Sequence, residues 1–498
     1  MYYVLDGHDY IYDIQTITQI FFPNEKFTRV ERPDTHGLTA VSVLTSTGCG
    51  GALYLNGHIT EQAVMPLPEN SGACDGRVSR TPVADMFSGS QEIRRRLMVT
   101  LFSACRAYTR QNPPWGALTG VRPSKMARLL LEKGYSRSRI IDDMERNYLA
   151  RRDKIALAVD VAAAEKDILN RQPLDAFSLY VGIPFCPSRC LYCSFASYPI
   201  GGDSSRVDIY LDALERELRA IRDLTNGRCA SAVYVGGGTP TALNEKQLDR
   251  LLKSVRTLFG EPLEFSVEAG RPDTVNTDKL RILRNYGASR ISLNPQSLHD
   301  DTLSGIGRNH TVNDFYRAFA LARAEGFDNI NTDIILGLPG ETTSHVEKTA
   351  DKLLAMRPEN VTVHILTIKR ASPLCETLGR YSPPSVGTLE EMLGVSQRVC
   401  MESGMSPYYM YRQKNMLGNF ENVGYCLPGK ASAYNVLIME ETQSIWAAGA
   451  GAVTKLVFGD RLERVFNVKN LRDYITRVGE MIKRKEAWRT ADTDSARN

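Results

Sequence analysis

The chain has 498 residues, too many for one compact domain, and its 43% hydrophobic and 24% charged content is typical of a globular protein. Its 61 Lys+Arg against 57 Asp+Glu give a formal net charge of +4, which excludes the strongly basic balance typical of a general nucleic-acid-binding protein. The N-terminal residues lack the pattern of a secretory signal, and no apolar run reaches 18 residues, so we expect a cytoplasmic protein without a membrane span.

The first part of the chain combines short β-type runs with helical patterns. Residues 2–5 and 53–55 are apolar runs broken by Gly, Pro, Asp and Asn. From about Gln91 the pattern becomes helical, with Leu97, Leu101 and Tyr108 on one face. Further helical stretches follow at 124–134, 137–150 and 153–171. The pattern predicts an N-terminal α+β domain over residues 1–171, whose role the sequence leaves open.

From about Ser178 strands alternate with helices, which is the signature of a parallel sheet with crossover helices. The six candidate strands are apolar runs, as expected when both faces of a sheet are covered. They lie at residues 178–183, 232–235, 264–267, 290–293, 331–336 and 362–367. We predict an α/β fold in which residues 172–380 form a partial (β/α)6 barrel, with its chemistry at the carboxyl ends of the strands.

The remaining residues, 381–498, predict a C-terminal α+β extension. A helical pattern covers 389–402, a strand-like run covers 407–412, and a final helix begins near Leu471. The polar tail, residues 489–498, is expected to be disordered.

Three of the ten cysteines fall within eight residues: Cys186, Cys190 and Cys193 have the spacing C-x3-C-x2-C. Three thiolates on one loop can bind three irons of a [4Fe–4S] cubane and leave the fourth iron open. Zinc is the rival interpretation, but a structural zinc site needs a fourth ligand, and His299 and His310 are more than 100 positions away. The seven isolated cysteines are expected to be buried small hydrophobic residues. They are Cys49, Cys74, Cys105, Cys229, Cys375, Cys400 and Cys426.

The cysteine loop, with the aromatic Tyr192 directly before the last cysteine, resembles the signature of the radical S-adenosylmethionine (SAM) superfamily. The resemblance implies that the amine and carboxylate of SAM chelate the open iron. It also implies that the reduced cluster cleaves SAM to methionine and a 5′-deoxyadenosyl radical. An electron donor such as flavodoxin or ferredoxin is therefore expected.

Further motifs resemble the oxygen-independent coproporphyrinogen III dehydrogenase family. Four of them lie in the predicted barrel, at residues 180–186, 236–241, 307–311 and 333–340. Two others, at 118–123 and 449–452, resemble the second, Gram-positive type of this enzyme, which carries an N-terminal extension. The match covers roughly residues 176–460.

This resemblance implies the positions of the cofactor and catalytic residues. The implied SAM contacts are Tyr180, Tyr192, Gly237, Gly238, Thr239, Glu268, Gln296, Arg308 and Asp333. Tyr180 and Arg308 are also the implied catalytic residues, and a second SAM would have a contact near Val453. Glu268 suits ribose hydroxyls, and Asp333 inside an apolar strand would be costly to bury without a partner.

The implied reaction is the oxidative decarboxylation of two propionates of coproporphyrinogen III to vinyl groups, which yields protoporphyrinogen IX for anaerobic haem biosynthesis. Hydrogen abstraction at the propionate β-carbon is followed by loss of carbon dioxide and of one electron. Because the substrate carries four carboxylates, basic residues are expected at the barrel mouth, and Arg308, Lys369 and Arg370 are candidates.

Two departures from the family pattern keep other tetrapyrrole chemistries open. Gly182 stands where the family often has His, and Phe195 stands where well-characterised decarboxylases carry a further Cys. Residues 432–437 lack the His of the haem-chaperone relatives, which counts against simple haem carriage. A haem-binding chaperone and an anaerobic haem-degrading methyltransferase are the alternatives. In the N-terminal domain, residues 115–125 either clamp a carboxylate or pack in a domain interface through Trp115.

Overall fold

The computed structural model describes residues 1–23, 25–34, 36–67, 89–120, 122–195, 197–201, 204–369, 371–376, 381–413, 416–459 and 461–488. The chain folds into two compact units. The first contains residues 1–163 and 411–421, and the second contains residues 164–410 and 422–498. The division into domains 1–171, 172–380 and 381–498 stays a prediction.

The first unit is built on a five-stranded sheet of order β2-β1-β3-β4-β5. Its strands are β1 (Tyr2–Asp6), β2 (Thr28–Arg29), β3 (Leu38–Leu44), β4 (Gly48–Leu55) and β5 (His58–Pro66). Strand β1 pairs in parallel with β2 and β3, whereas β3, β4 and β5 form an antiparallel meander. The helices of this part are α1 (Ile11–Phe21), α2 (Ser90–Thr109), α3 (Pro123–Glu132), α4 (Arg137–Tyr148) and α5 (Arg152–Asn170), the last of which runs on into the second unit.

The core of the first unit forms where α1 and α2 cover the sheet. Ile14, Ile17 and Phe21 of α1 pack with Leu101 and other residues of α2. Helix α2 approaches so closely that a methyl group at Gly51 would lie 2.3 Å from the Leu101 nitrogen. The helices from Gln91 onward were predicted from their periodicity, but α1 was not. Its isoleucines and threonines favour strands locally, and only packing of the buried face makes it a helix.

Trp115 is buried inside the first unit. Its indole N–H donates to Glu421 Oε2 at 2.9 Å, and Lys154 Nζ donates to Glu421 Oε1 at 2.6 Å. The Arg412 guanidinium lies over the Trp115 ring at 5.5 Å and donates to the Leu118 carbonyl at 2.5 Å. Trp115 thus fixes the returning segment 411–421 within this unit, and its ring is not exposed for clamping a ligand.

The second unit is built on an eleven-stranded sheet of order β14-β15-β13-β12-β11-β10-β9-β6-β16-β17-β18. Its strands are β6 (Phe177–Ile183), β9 (Ala230–Gly237), β10 (Glu264–Glu268), β11 (Arg290–Ser292), β12 (Ile330–Leu336), β13 (Asn360–Ile365), β14 (Ser406–Tyr411), β15 (Asn422–Cys426), β16 (Ile445–Ala448), β17 (Val453–Phe458) and β18 (Arg461–Phe466), while β7 (Phe185–Cys186) and β8 (Tyr198–Pro199) form a separate pair. All the neighbours from β16 through β6 to β13 run parallel.

Crossover helices connect the parallel strands. The helices of the second unit are α6 (Ser204–Leu224), α7 (Glu245–Phe259), α8 (Thr277–Asn285), α9 (Asp300–Gly305), α10 (Val312–Ala324), α11 (Thr343–Ala355), α12 (Pro373–Glu376), α13 (Val386–Glu402), α14 (Ala433–Glu440) and α15 (Leu471–Glu486). Their starts are encoded locally. For example, Asn244 and Gln247 form a capping box at α7, and Thr311 and Asp314 form one at α10.

The predicted partial barrel is confirmed. The six predicted strands nearly coincide with β6, β9, β10, β11, β12 and β13, which are neighbours in this order in the sheet. In the described residues the sheet is open, with β14 and β18 at its edges. Strand β16, which extends the parallel array beyond β6, was not predicted from the sequence. A four-residue strand carries little periodicity, and it joins the barrel only through its pairing with β6.

The isolated cysteines partly follow the expectation. Cys49, Cys105, Cys400 and Cys426 are buried, but Cys375 is half-buried and Cys229 is exposed. The expectation was wrong for Cys229, because it lies in the turn between α6 and β9 rather than in either element. Cys74 and the tail 489–498 lie outside the described residues. Across the described part of the chain, every helix is too short or too polar to cross a membrane.

Candidate active site

The three clustered cysteines lie on a loop at the carboxyl end of β6. We call residues 184–195 the cysteine loop. Cys186 ends β7, and Cys190 is 8% exposed, whereas Cys186 and Cys193 are half-buried. The Thr239 hydroxyl approaches Cys186 Sγ at 3.5 Å. The loop is thus inside the protein and still open on one side, which suits a group that must meet a second ligand.

Backbone hydrogen bonds hold the start of this loop against the glycine turn that follows β9. Gly238 N donates to the Ile183 carbonyl at 2.8 Å, and Thr239 N donates to the Phe185 carbonyl at 2.7 Å. A methyl group at Gly238 would lie 2.5 Å from the Phe185 oxygen and 3.0 Å from Cys186 Sγ. The glycine is therefore required by the close approach of the cysteine loop itself.

The second half of the loop is held from two other sides. Leu191 N donates to the Ile306 carbonyl at 3.0 Å, and the Leu191 carbonyl accepts from Leu374 N at 2.8 Å. Arg308 Nη2 donates to the Tyr192 hydroxyl at 3.1 Å, and its Nη1 donates to the Asn294 carbonyl at 2.5 Å. Tyr192 and Arg308, predicted separately, are therefore direct partners.

Burial raises the pKa of the Cys186 thiol to about 11, and burial also raises the pKa of Cys193. Such thiols stay protonated at neutral pH until a metal displaces the proton. In the described residues no three His, Cys, Asp or Glu side chains converge on one point, as a single metal ion would require. A cubane cluster needs no such convergence, because the three thiolates bind three different irons and the fourth iron stays open.

Glu268, the last residue of β10, lies beside the glycine turn. Its Oε1 accepts from the Tyr234 hydroxyl at 2.5 Å, and its Oε2 accepts from Gly237 N at 3.1 Å. Burial raises the pKa of Glu268 to about 7, with a further contribution from the Asp333 charge, although these two hydrogen bonds oppose the rise. Glu268 is thus an acceptor that titrates near neutral pH.

Asp333 lies in the middle of β12 and has polar partners on its own strand and on the neighbouring β13. Asn331 Nδ2 donates to Asp333 Oδ1 at 2.7 Å, and His364 Nε2 lies 3.6 Å from Oδ2. Burial alone would raise the pKa of Asp333, but His364, Asn331 and Thr362 hold it below its ordinary value. The aspartate thus has the polar partners that a charged residue inside an apolar strand needs.

Gln296 has a strained backbone and an unsatisfied side chain. Its φ is +67°, in the left-handed region. Two backbone hydrogen bonds to β12 hold this conformation: Gln296 N donates to the Asp333 carbonyl, and the Gln296 carbonyl accepts from Ile335 N, both at 3.0 Å. Its Oε1 is buried and has no hydrogen-bond partner among the described residues. Strain of this kind costs about 1–3 kcal/mol and is concentrated at functional sites.

Tyr180 belongs to a row of stacked rings along the inner face of the sheet. Its ring centroid lies 6.3 Å from that of Tyr234, which in turn lies 4.6 Å from that of Tyr434. A methyl group at Gly237 would lie 3.1 Å from the Tyr180 hydroxyl. Tyr180 is thus placed beside the glycine turn and Glu268.

The segment 449–452 packs against the end of β6. A methyl group at Gly449 would lie 2.5 Å from the Gly182 carbonyl oxygen. Gly449 N donates to Glu217 at 2.9 Å, and Glu217 is fully buried with Lys485 Nζ at 2.7 Å. This segment therefore anchors β16 to helices α6 and α15, and Gly182 fits the same close contact.

Sequence reasoning missed four polar residues around the site. They are Tyr234 and His364, described above, together with Arg271 beside the cysteine loop and His310, whose buried ring lies between charged neighbours. Tyr234 and His364 lie within apolar strands, and no sequence motif marks a tyrosine or a histidine at these positions. The Gly-Arg-Pro-Asp run after β10 was the only local signal for Arg271.

The residues present fit a [4Fe–4S] cluster with SAM. The three thiols share one loop, and the buried Gln296 Oε1 and Arg308 Nε have no hydrogen-bond partner in the described residues. Unsatisfied buried polar atoms are costly, so they indicate a polar ligand. Two carboxylates of different basicity, Glu268 at the end of β10 and Asp333 within β12, lie close enough for the charge of Asp333 to raise the pKa of Glu268.

Comparisons with known proteins agree with this geometry. Residues 180–353 match the model of the radical SAM superfamily. The chain is 36% identical over 395 residues to the oxygen-independent coproporphyrinogen-III oxidase-like protein HemZ of Bacillus subtilis, covering 77% of this chain and 78% of that protein. It is 33% identical over 307 residues to the heme chaperone HemW of the same organism, covering 61% and 76% of the two chains.

Among solved structures, the chain is similar to coproporphyrinogen III oxidase (HemN) of Escherichia coli, a radical SAM enzyme. The TM-score is 0.51 with 26% sequence identity, covering 64% of this chain and 73% of that one. Radical SAM proteins use a [4Fe–4S] cluster and SAM, which confirms the predicted cofactors. With its cysteine loop, its parallel sheet and its extended match to HemZ, the chain belongs to the oxygen-independent coproporphyrinogen III oxidase family of the radical SAM superfamily.

Proposed function

We propose that this protein converts coproporphyrinogen III to protoporphyrinogen IX by oxidative decarboxylation of two propionates. Each propionate loses one hydrogen atom, one carbon dioxide and one electron to become a vinyl group. The cluster and SAM together supply the radical that removes the hydrogen atom. The names of HemZ and HemN support a tetrapyrrole substrate of this kind.

The observation that carries the proposal is the assembly around the cysteine loop. Cys186, Cys190 and Cys193 would hold three irons, and the carboxylates of Glu268 and Asp333 are near enough for their charges to interact. Arg308 spans from the Tyr192 hydroxyl to the Asn294 carbonyl and so ties the cysteine loop to the loop after β11. The chain thus provides the groups that bind and orient SAM for radical formation.

Lys369 is the best described candidate for a propionate contact. It is half-buried, burial lowers its pKa, and the charge of Cys193 acts on it from nearby. A lysine beside the cysteine loop can place a carboxylate, and with it the β-carbon, close to the radical source. The predicted neighbour Arg370 lies outside the described residues.

The segment 432–437 supports turnover over haem carriage. Tyr434 is 4% exposed and stacked on Tyr234, and the Glu264 carboxylate accepts from Ser432 Oγ at 2.8 Å and from Ala433 N at 2.6 Å. These side chains are engaged in fixing α14 to β10. The segment lacks a histidine to ligate haem iron, and its tyrosine is buried against Tyr234 of β9.

Three expectations from the sequence belong to this proposal. They are an electron donor such as flavodoxin or ferredoxin, a second SAM with a contact near Val453, and a cytoplasmic location. A substrate- or partner-handling role of residues 1–171 also stays a prediction. Arg122 and Lys125 are the candidates for it, since Trp115 is committed to Glu421.

An anaerobic assay of the reconstituted protein tests the function. The protein is incubated with coproporphyrinogen III, SAM and a chemical reductant, and the products are analysed by mass spectrometry. We expect protoporphyrinogen IX, methionine and 5′-deoxyadenosine, with two carbon dioxide molecules released per substrate. Cys190→Ala is the inactive control, and Lys369→Gln should weaken substrate binding without abolishing SAM cleavage.

A parallel titration with haem separates the alternatives. Tight haem binding by the full chain, combined with no conversion of coproporphyrinogen III, would replace the proposal with a haem-chaperone function. Methyl transfer from SAM to haem, with no decarboxylation, would replace it with a haem-degrading methyltransferase.

A further inference from the structure

Arg271 lies against the cysteine loop and is outside the residues assigned to SAM or substrate. It follows β10 by three positions and is 3% exposed. Its Nη1 donates to Ser188 Oγ at 2.8 Å and to the Ser188 carbonyl at 3.3 Å, and it approaches Cys190 Sγ at 4.0 Å. One guanidinium thus contacts both the backbone of the loop and a cluster-ligand sulfur.

The opposite side of the guanidinium is held by Asp273. Nε donates to Asp273 Oδ1 at 3.0 Å, and Nη2 donates to Oδ2 at 2.8 Å. The aspartate side chain is 22% exposed, whereas that of Arg271 is 3% exposed. Water therefore screens the carboxylate more than the guanidinium, and a net positive field is left on the side of the cysteine loop.

A positive field at this place acts on the charge of the cluster. A cubane held by three thiolates becomes more negative when it takes up an electron. The reduction potential of such a cluster depends on nearby charge, on hydrogen bonds to its sulfurs and on solvent exposure. An arginine carries a delocalised positive charge, which suits this role.

We propose that Arg271 is a positioning residue that orients the Ser188–Cys190 segment and raises the reduction potential of the cluster. Asp273 moderates this effect by neutralising part of the charge. The inference rests on Cys190 being a cluster ligand, as the proposed function requires. It does not depend on which tetrapyrrole is the substrate.

The test is a redox titration of the reconstituted, SAM-free protein, followed by electron paramagnetic resonance of the reduced cluster. Iron and sulfide are determined first, so that loss of the cluster is distinguished from a shift of potential. At a fixed potential, Arg271→Met should lower the ratio of reduced to oxidised cluster by about tenfold or more. For a one-electron couple this is a fall of about 59 mV or more in the midpoint.

Three further variants give the comparison its sign. Arg271→Lys keeps the positive charge but loses the several donors of the planar guanidinium. Its midpoint potential should therefore lie between those of wild type and Arg271→Met. Asp273→Asn should shift the midpoint in the opposite direction, to a higher value. Arg281→Met is the control, because Arg281 is exposed on α8 and paired with Glu325; its midpoint should equal that of wild type.

A full cluster with an unchanged midpoint in Arg271→Met overturns the proposal, as does a lower midpoint in Asp273→Asn. If Arg271→Met fails to hold a cluster, the other two variants decide. A lower midpoint in Arg271→Lys together with a higher midpoint in Asp273→Asn supports the proposal, and unchanged midpoints in both overturn it. Failure of coproporphyrinogen turnover with these shifts intact would refute the proposed substrate and leave the role of Arg271 standing.

Discussion

The hydroxyl of Tyr234 donates a 2.5 Å hydrogen bond to Oε1 of Glu268, across the adjacent strands β9 and β10. The same carboxylate accepts from Gly237 N in the glycine turn beside the cysteine loop. Tyr234 therefore fixes the orientation and the basicity of the group predicted to bind the SAM ribose. It does so from inside an apolar strand, where nothing in the sequence marks it.

Tyr234→Phe should shift the pH dependence of SAM binding upward. Burial raises the pKa of Glu268 to about 7, and the Tyr234 hydrogen bond opposes that rise. Loss of a bond to a charged group, worth about 1.5 kcal/mol, corresponds to about one further pH unit. SAM affinity of the reconstituted protein, measured anaerobically by equilibrium dialysis between pH 6 and 9, checks this shift.

Tyr286→Phe is the matched control for this measurement. The Tyr286 hydroxyl also donates to a carboxylate, Asp249 Oδ1 at 2.9 Å, but at the end of α8. Its SAM-binding profile should match that of wild type. Identical profiles for Tyr234→Phe and wild type would refute the role given to Tyr234.

Cys190→Ala should abolish the [4Fe–4S] cluster, because a cubane held by two thiolates loses a corner ligand. After anaerobic reconstitution, wild type should contain about four irons and four sulfides per chain, with broad absorption near 400 nm. Cys229→Ala removes an exposed thiol between α6 and β9 and should keep the cluster. A full cluster in Cys190→Ala would show that the ligand assignment is wrong.

Asp333→Asn should leave the cluster intact and slow SAM cleavage. The aspartate is ionised, since His364, Asn331 and Thr362 hold its pKa below the ordinary value despite burial. Removal of one charged hydrogen-bonding group costs about 1.5–3 kcal/mol, or about 10- to 100-fold in rate. The rate of 5′-deoxyadenosine formation, with iron content determined in parallel, measures this effect.

Asp328→Asn is the control, because that aspartate is 82% exposed and paired with Lys430 just before β12. It should cleave SAM at the wild-type rate. An equal rate in Asp333→Asn would remove Asp333 from the SAM site.

Trp115→Phe should destabilise the first unit. The indole N–H is one of the donors to the buried Glu421 carboxylate, and Phe cannot replace it. A buried charge that loses a hydrogen bond costs about 1–3 kcal/mol. Thermal unfolding should begin at a lower temperature than in wild type. Trp488→Phe, in the second unit, is the control and should change the unfolding temperature little. An unaltered unfolding transition in Trp115→Phe would contradict the packing described for segment 411–421.

Glu341→Gln should make stability less dependent on pH. Burial raises the pKa of Glu341 to about 7 from an ordinary value of 4.5, against the opposing hydrogen bonds of Ser297 and Thr302. The folded state therefore binds more protons than the unfolded state across this range, and stability falls as the pH rises from about 4.5 to 7. A shift of this size corresponds to about 3 kcal/mol at pH 8.

Denaturant titrations at pH 5 and pH 8 test this sign. The loss of unfolding free energy between the two should be smaller in Glu341→Gln than in wild type, since glutamine still accepts from Ser297. The interpretation is wrong if both proteins lose the same amount.

The local pattern was enough to predict the parallel sheet, and it also supplied the predicted cluster ligands. The six parallel strands from β6 through β13 are largely apolar runs that lie between helices with capping residues. Such a pattern can be recognised from the sequence alone. Cys186, Cys190 and Cys193 are close in sequence, so their spacing alone limits what they can bind. Asp333 and Glu268 were recognisable because a charged residue in or at the end of an apolar strand needs a partner.

The tertiary structure decided which residues meet across these elements. Tyr234 reaches Glu268, His364 reaches Asp333, and Arg271 reaches Cys190 only because neighbouring strands and their loops end at one edge. The strand β16 and the return of segment 411–421 to the first unit likewise depend on pairing between distant residues. The sequence by itself determined the fold and the cluster, since both follow from local spacing, and the resemblance of the cysteine loop to the radical SAM signature supplied SAM. The side-chain partners around the cysteine loop were set by long-range contacts, for which a single sequence carries no local signal.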